Sequence, residues 1–136
     1  MSTLTKKTYT GTTSPLEKEI GFSRAVRIGN HAFVSGTAPL DENGRTYAPG
    51  DVAAQAGRCF AIALEALRAV GLEGSDVVRT RIMLTDINRW REVAEVHGSL
   101  FSQVRPACTF LEVSRFIDPQ WLVEIEIDAI SSSAAP

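Results

Sequence analysis

The stretch "LVEIEIDAI" (Leu122–Ile130) alternates oily and acidic residues without a break. In an extended chain it sets Glu124, Glu126 and Asp128 on one face and Val123, Ile125, Ile127 and Ala129 on the other. This pattern predicts a strand whose oily side is buried and whose acids face either water or something basic. A basic counterpart exists in "VVRTRIML" (Val77–Leu84). There Arg79, Arg81 and Met83 fall on one face, and Val78, Thr80, Ile82 and Leu84 on the opposite one. Opposite charges on neighbouring strands contribute about 0.2–1 kcal/mol a pair, so the two strands are expected to match acids to arginines and to turn their oily sides under helices.

Helical spacing follows Asp51. Val52, Ala56, Cys59, Phe60, Ala63, Leu64, Leu67 and Val70 recur on one stripe, with Asp51 as N-cap and Gly71 as a stop. A second amphipathic helix is predicted to start near Asp86 or Asn88 and to end before Pro106. Its stripe is Trp90, Val93, His97, Leu100, Phe101 and Val104. Upstream, Ala25–Ile28 and His31–Val34 flank Gly29-Asn30, a pair suited to a type II′ hairpin turn. Asn43-Gly44 predicts a further turn and a third short strand, and "CTFLEVSR" (Cys108–Arg115) another strand before a turn at Asp118-Pro119.

The order is strands, helix, strand, helix, strands. It predicts an α/β (α+β) fold, a mixed sheet of five or six strands with two helices on one face. The chain reads as one domain over residues 1–136, with an ordered core of about 20–130 and flexible ends: a Thr/Ser/Lys-rich first ~15 residues and the tail "SSSAAP". Two helices cover one face, so the other is wet or meets another subunit. Met83 and Leu122, interleaved with the charges, gain nothing from exposure, which favours a subunit interface.

Composition narrows the function. Hydrophobic residues at 44% and charged residues at 22% are ordinary for a globular domain. A net charge of −2 argues against nucleic acid as a partner. No apolar run approaches the ~20 residues of a membrane span, and the N-terminus lacks the apolar segment of a secretory signal. Cys59 and Cys108 do not form a disulfide framework and suit a cytoplasmic setting. Neither they nor His31 and His97 fall at metal-ligand spacing, so no metal is expected.

From about Phe22 to Ile130 the chain resembles the RidA (YjgF) family. Four stretches carry the likeness in order: "FSRAVRIGNHAFVSGTAPLD", "GDVAAQAGRCFAIALEALRAVGL", "DVVRTRIMLTDINRW" and "RPACTFLEVSRFIDPQWLVEIEIDAI". The resemblance implies a chorismate-mutase-like fold assembled as a homotrimer, with the sheets around a central barrel and clefts between subunits. It also implies hydrolysis of enamine or imine intermediates to a 2-keto acid and ammonia, without a cofactor. In that family an arginine grips the substrate carboxylate and a glutamate on the last strand handles the water.

Carried over by position, the glutamate is Glu124, and Ser35-Gly36 is the Ser-Gly that lines the cleft. Where the family has its arginine, after Pro106 and Ala107, this chain has Cys108; Phe110 stands for a frequent cysteine, Phe22 for a frequent tyrosine and Ala94 for a polar residue. The chain therefore resembles an arginine-lacking Rid subfamily. A thiol has neither the charge nor the fork of a guanidinium. Losing such an anchor weakens a carboxylate ligand by tens-fold or more, so a less polar substrate is expected. Arg24, Arg81 or Arg105 could supply a cation from another direction, and His97, if it reaches the cleft, a group that titrates near neutrality.

The expected protein is a cytoplasmic homotrimer binding a small-molecule metabolite. It is an enamine/imine deaminase acting through Glu124 and a water, with Phe22, Ser35, Gly36, Ala107, Cys108 and Phe110 around the substrate. The rival is a metabolite-binding or chaperone-like trimer without turnover. Endoribonuclease activity ranks last, given the acidic balance.

Overall fold

A computed structural model describes residues 7–12 and 14–132. Six strands form one mixed sheet in the order β1-β2-β3-β6-β4-β5. They are β1 (Lys7–Thr10), β2 (Ala25–Ile28), β3 (His31–Thr37), β4 (Val77–Leu84), β5 (Ala107–Glu112) and β6 (Val123–Ile130). Only β4 and β5 run parallel, as the helical crossover between them requires. The helices are α1 (Pro15–Ile20), α2 (Val52–Ala69) and α3 (Trp90–Phe101).

The hairpin forms where expected, β2 meeting β3 through Gly29, whose φ of 58° is the left-handed region that a type II′ turn demands. α2 begins at Asp51, whose carboxylate accepts from the Ala54 N–H at 3.0 Å. Its stripe of Val52, Ala56, Cys59, Phe60, Ala63 and Leu67 is buried against Val34, Ile82, Val123, Ile125 and Ile127 of the sheet. Burying a side chain such as Phe60 or Leu67 contributes about 1.5–3 kcal/mol, so this layer holds the fold.

The acids and arginines meet as the alternation demands. Arg79 pairs in register with Asp128, Arg81 with Glu126 and Met83 with Glu124. The Arg79 guanidinium lies 3.7 Å from Asp128, and that of Arg81 lies 3.4 Å from both Glu126 and Asp128. The same open face carries Phe33, which pairs with Asp128 and is 45% exposed, and Leu111, which pairs with Met83 and is 38% exposed.

Four expectations need correction. The first ~15 residues are not uniformly loose. Lys7–Thr10 pairs with β2 as an edge strand, and Pro15–Ile20 is helical, with Pro15 in the first turn and Gly21 in the left-handed cap. Residues 1–6 and Thr13 of that segment, and residues 133–136 of the tail, lie outside the described residues. The third strand after Val34 reduces to a single bridge, Leu40 to Thr46, around the Asn43-Gly44 turn. Val78 is 41% exposed because β4 carries an extra residue between Val77 and Arg79; the bulge sends Val77 to the core and Val78 outward. On α3, Val93 and Phe101 are buried, but Trp90 and Leu100 lie at the margin of the core and are exposed.

A buried glutamine fixes the loop that precedes β6. Gln55 of α2 is fully buried; its amide NH2 donates to Gln120 C=O at 3.0 Å, and its amide oxygen accepts from the Leu122 N–H at 2.8 Å. A Gln55→Met variant strands both backbone groups. It is expected to lose about 1–3 kcal/mol of stability, read from the midpoint of a urea transition.

Candidate functional site

A cavity of about 310 Å³ opens at the end of the sheet where β2 and β6 begin and β3 ends. Its wall includes Phe22, Arg24, Gly36 and Glu124, four residues of the expected site. Pro15, Leu16 and Ile20 of α1, Ile62 of α2 and Trp121 from the Gln55-held loop make its apolar part, and Thr12, Ser14, Thr37 and Asp118 add polar groups.

The backbone of β3 shapes this place. Val34 pairs with Ile127 and Thr37 with Ile125, so Ser35 and Gly36 together oppose one residue of β6. The bulge keeps both Val34 and Thr37 on the buried side although they are three apart. It also brings Gly36 against Glu124: a side-chain carbon added at Gly36 would lie 3.0 Å from Glu124 Oε1. A side chain there would make the end of Glu124 give way by a few tenths of an ångström.

Glu124 is half-buried and has no hydrogen-bond or ion-pair partner among the described residues. Burial pushes its carboxyl above the ordinary glutamate range; the Arg24 guanidinium pulls it back in part, and Glu126 adds to the rise. The same charge is felt beneath the sheet. Burial pushes the Cys59 thiol well up, and Glu124 pushes it further.

Arg24 is buried and occupied. Its Nε and Nη2 donate to Glu17 Oε2 at 3.4 and 3.3 Å, and its Nη1 donates to Gly36 C=O at 2.6 Å and Thr37 Oγ1 at 3.3 Å. The side chains of Arg24 and Glu17 are each 8% exposed. Glu17 also accepts from the Thr12 N–H at 3.0 Å and from the Thr12 hydroxyl. The guanidinium carbon sits 5.3 Å from the centre of the Phe22 ring. Glu17 and Trp121 were not among the residues expected from the sequence. The signal for Glu17 was "SPLEKEIG", with Pro at a helix start and Gly past its end; nothing local marked Trp121.

The remaining expected residues lie outside this cavity. The Ser35 hydroxyl donates to Ser23 C=O at 2.6 Å, which ties the bulge to the segment before β2. Arg81 is held by Glu126 and Asp128. His97 lies between Phe60 and Phe101, with Nε2 2.8 Å from Thr80 Oγ1, and burial lowers its pKa. Arg105 is exposed between α3 and β5 with a φ of 56°. Ala107, Cys108 and Phe110 belong to β5, two strands from the β6 that carries Glu124, or roughly 10 Å at the usual strand spacing. Cys108 and Ala107 are exposed, and Phe110 meets Trp90 edge-on at 5.9 Å. In register, Cys108 stands level with Thr80 and Ile127, three residues along β6 from Glu124. Among the described residues no group of three or more His, Cys, Asp or Glu could hold a metal, and no helix is long and apolar enough to cross a membrane.

Comparison with known proteins gives the family. The Endoribonuclease L-PSP family model matches residues 12–131. Protein DfrA of Myxococcus xanthus is 40% identical over 119 residues, covering 85% of this chain and 88% of its own. The mouse 2-iminobutanoate/2-iminopropanoate deaminase is 30% identical over 132 residues, covering 96% and 94%. The crystal structure of Rv2704 from Mycobacterium tuberculosis, a member of the YjgF/YER057c/UK114 family, superposes with a TM-score of 0.84 at 42% identity, over 93% of this chain and all of that one. With likeness running through sequence and architecture alike, the chain belongs to the Endoribonuclease L-PSP (RidA, YjgF) family and has its chorismate-mutase-like fold.

Proposed function

We propose that the chain is a cofactor-free hydrolase of small imines or enamines, with Glu124 as the base that activates water. One observation carries this reading: a half-buried carboxylate with no hydrogen-bond or ion-pair partner among the described residues stands in the wall of a largely apolar cavity. The reaction balances with this one group. A water adds to the carbon of a protonated imine, and Glu124 takes the proton released and passes it to the nitrogen; the carbon–nitrogen bond then breaks as the new hydroxyl gives up its proton, which Glu124 hands to the departing ammonia. Iminium plus water thus gives a carbonyl compound plus ammonium. The deaminase relative, about 30% identical, supports the reaction class.

The reading includes a cytoplasmic homotrimer with clefts between subunits. Support comes from the open sheet face, where Phe33 and Leu111 stand among paired charges, as an interface would have them. It comes also from β5: Cys108 stands two strands over and three residues along from its own Glu124, so a shared cleft is the way it would take part.

The second reading, a metabolite-binding trimer without turnover, is favoured by Cys108 at the family's arginine position and by the engagement of Arg24 with Glu17. RNA cleavage finds little support, because Arg79 and Arg81 of the open face are already paired with acids. To decide, 2-aminoacrylate generated in situ and a carboxylate-free imine are each mixed with the protein and carbonyl product is timed. Acceleration of either over buffer by wild type, lost in Glu124→Gln, is expected; equal rates for the two proteins on both compounds sink the hydrolase reading.

A further inference from the structure

The charges around the cavity do not cancel. Arg24 with its +1 and Asp118 and Glu124 with −1 each line it, and Glu17 behind the wall adds −1; Glu17 and Arg24 are locked together by an ion pair that is almost out of water. Three nitrogens of Arg24 are bonded to Glu17, Gly36 and Thr37, and one face of its guanidinium lies toward Phe22. A ligand carboxylate arriving there meets a cation already neutralised, with its fork largely filled. It also meets Glu124, unpaired among the described residues, which repels it. Beside these groups stand Pro15, Leu16, Ile20, Ile62 and the indole of Trp121. The Trp121 Nε1–H is buried without an acceptor among the described residues.

We propose that this cavity selects a ligand with an apolar body and a cationic head, such as a protonated imine or amine without a carboxylate, and that Glu17 enforces the choice by holding Arg24 as an internal cation. The inference rests on the cavity's being the substrate site and deepens the reading above by naming the charge of the substrate. The head group meets Glu124, the apolar body lies along α1 and Trp121, and Arg24 serves to fix the carbonyl of Gly36 instead of gripping the ligand. Glu17 and Arg24 are positioning residues in this scheme.

Three probes of one shape and different charge test it: 3-methylbutylamine, 3-methylbutan-1-ol and 4-methylpentanoate, titrated into the full chain at neutral pH and followed by calorimetry or Trp fluorescence. Wild type is expected to bind the amine roughly tenfold or more tighter than the carboxylate, with the alcohol between, since a charge-assisted contact separates them. Glu124→Gln should bring amine and alcohol within about twofold. Glu17→Gln, by releasing the Arg24 charge, should narrow or reverse the preference for amine over carboxylate by roughly tenfold.

A carboxylate bound as tightly as the amine by wild type overturns the proposal, as does binding of none of the probes or a Glu17→Gln protein with wild-type preference. If Glu17→Gln does not fold, the wild-type order and the Glu124→Gln result decide alone. Binding requires no turnover, so the two readings fail separately. An amine preference without imine hydrolysis sinks only the hydrolase; hydrolysis with a carboxylate preference sinks only this inference.

Discussion

Arg24→Met is expected to lower the free energy of unfolding by about 3–5 kcal/mol, because it leaves the carboxylate of Glu17 buried without its counter-charge. The pair is not a surface bridge: each side chain is 8% exposed, and Arg24 also donates to Gly36 C=O and Thr37 Oγ1, both of which lose a donor. The Thr12 contacts to Glu17 remain, which favours the lower end of that range. Glu17→Leu should cost a similar amount, since it strands a guanidinium. The double variant, with both charges gone, should cost clearly less than the sum of the two. Urea unfolding of all four proteins at one fixed concentration measures this. A loss below about 1 kcal/mol for Arg24→Met would mean that water reaches the pair as it reaches exposed bridges.

Glu124→Gln should lower the rate of imine hydrolysis by about 10²–10⁴-fold, the usual contribution of a positioned general base. In wild type the base form requires loss of the carboxyl proton. Burial has raised that pKa, against the opposing pull of Arg24 and with help from Glu126. The acidic limb of the pH–rate profile is therefore expected above the ordinary glutamate range and is expected to vanish in the variant.

Stability should move the other way. An acid whose pKa is higher folded than unfolded binds more protons in the native state. Its contribution to stability is present at low pH and is lost as pH rises from the ordinary glutamate range through the raised native value. Above that value the charged form is a burden that Glu124→Gln removes. The variant should then unfold at an equal or higher denaturant midpoint at neutral pH. A variant that is both inactive and less stable at neutral pH would point to a structural role for the carboxylate.

The alternation of Val123–Ile130 and the helical stripe after Asp51 were legible because each is a long pattern with one burial demand along its length. The acid–arginine register followed from the same alternation. What escaped was local. Val78 was misplaced because a single bulged residue inverts the parity of a strand, and periodicity carries no mark of it. Pro15–Ile20 is too short to show a helical stripe, and its Ser-Pro…Gly punctuation lies within a Thr/Ser/Lys-rich segment that reads as loose.

The site divided in the same way. Glu124 sits on a regular strand and Gly36 in a recognisable Ser-Gly pair, so both were placed by sequence, although the bulge that brings them together left no mark in the alternation. Glu17 and Trp121 come from segments whose approach depends on tertiary contacts. Glu17 is fixed by Thr12 and Arg24, and the loop carrying Trp121 is held through Gln55. A carboxylate in "SPLEKEIG" looks solvent-facing until Arg24 is seen to lie beneath it.

The doubled step at Ser35-Gly36 also bears on how such a protein can drift in length. Surface turns such as Asn43-Gly44 can absorb an inserted or deleted residue with little penalty. Removing one residue between Val34 and Thr37 instead restores even pairing with β6 and leaves both side chains inside, but it erases the doubled step that sets residue 36 against Glu124 and withdraws the carbonyl that steadies Arg24. Indels at this point should therefore be purged even where the composition is free to change, so the spacing of the strand is a stricter record of ancestry here than the identity of its side chains.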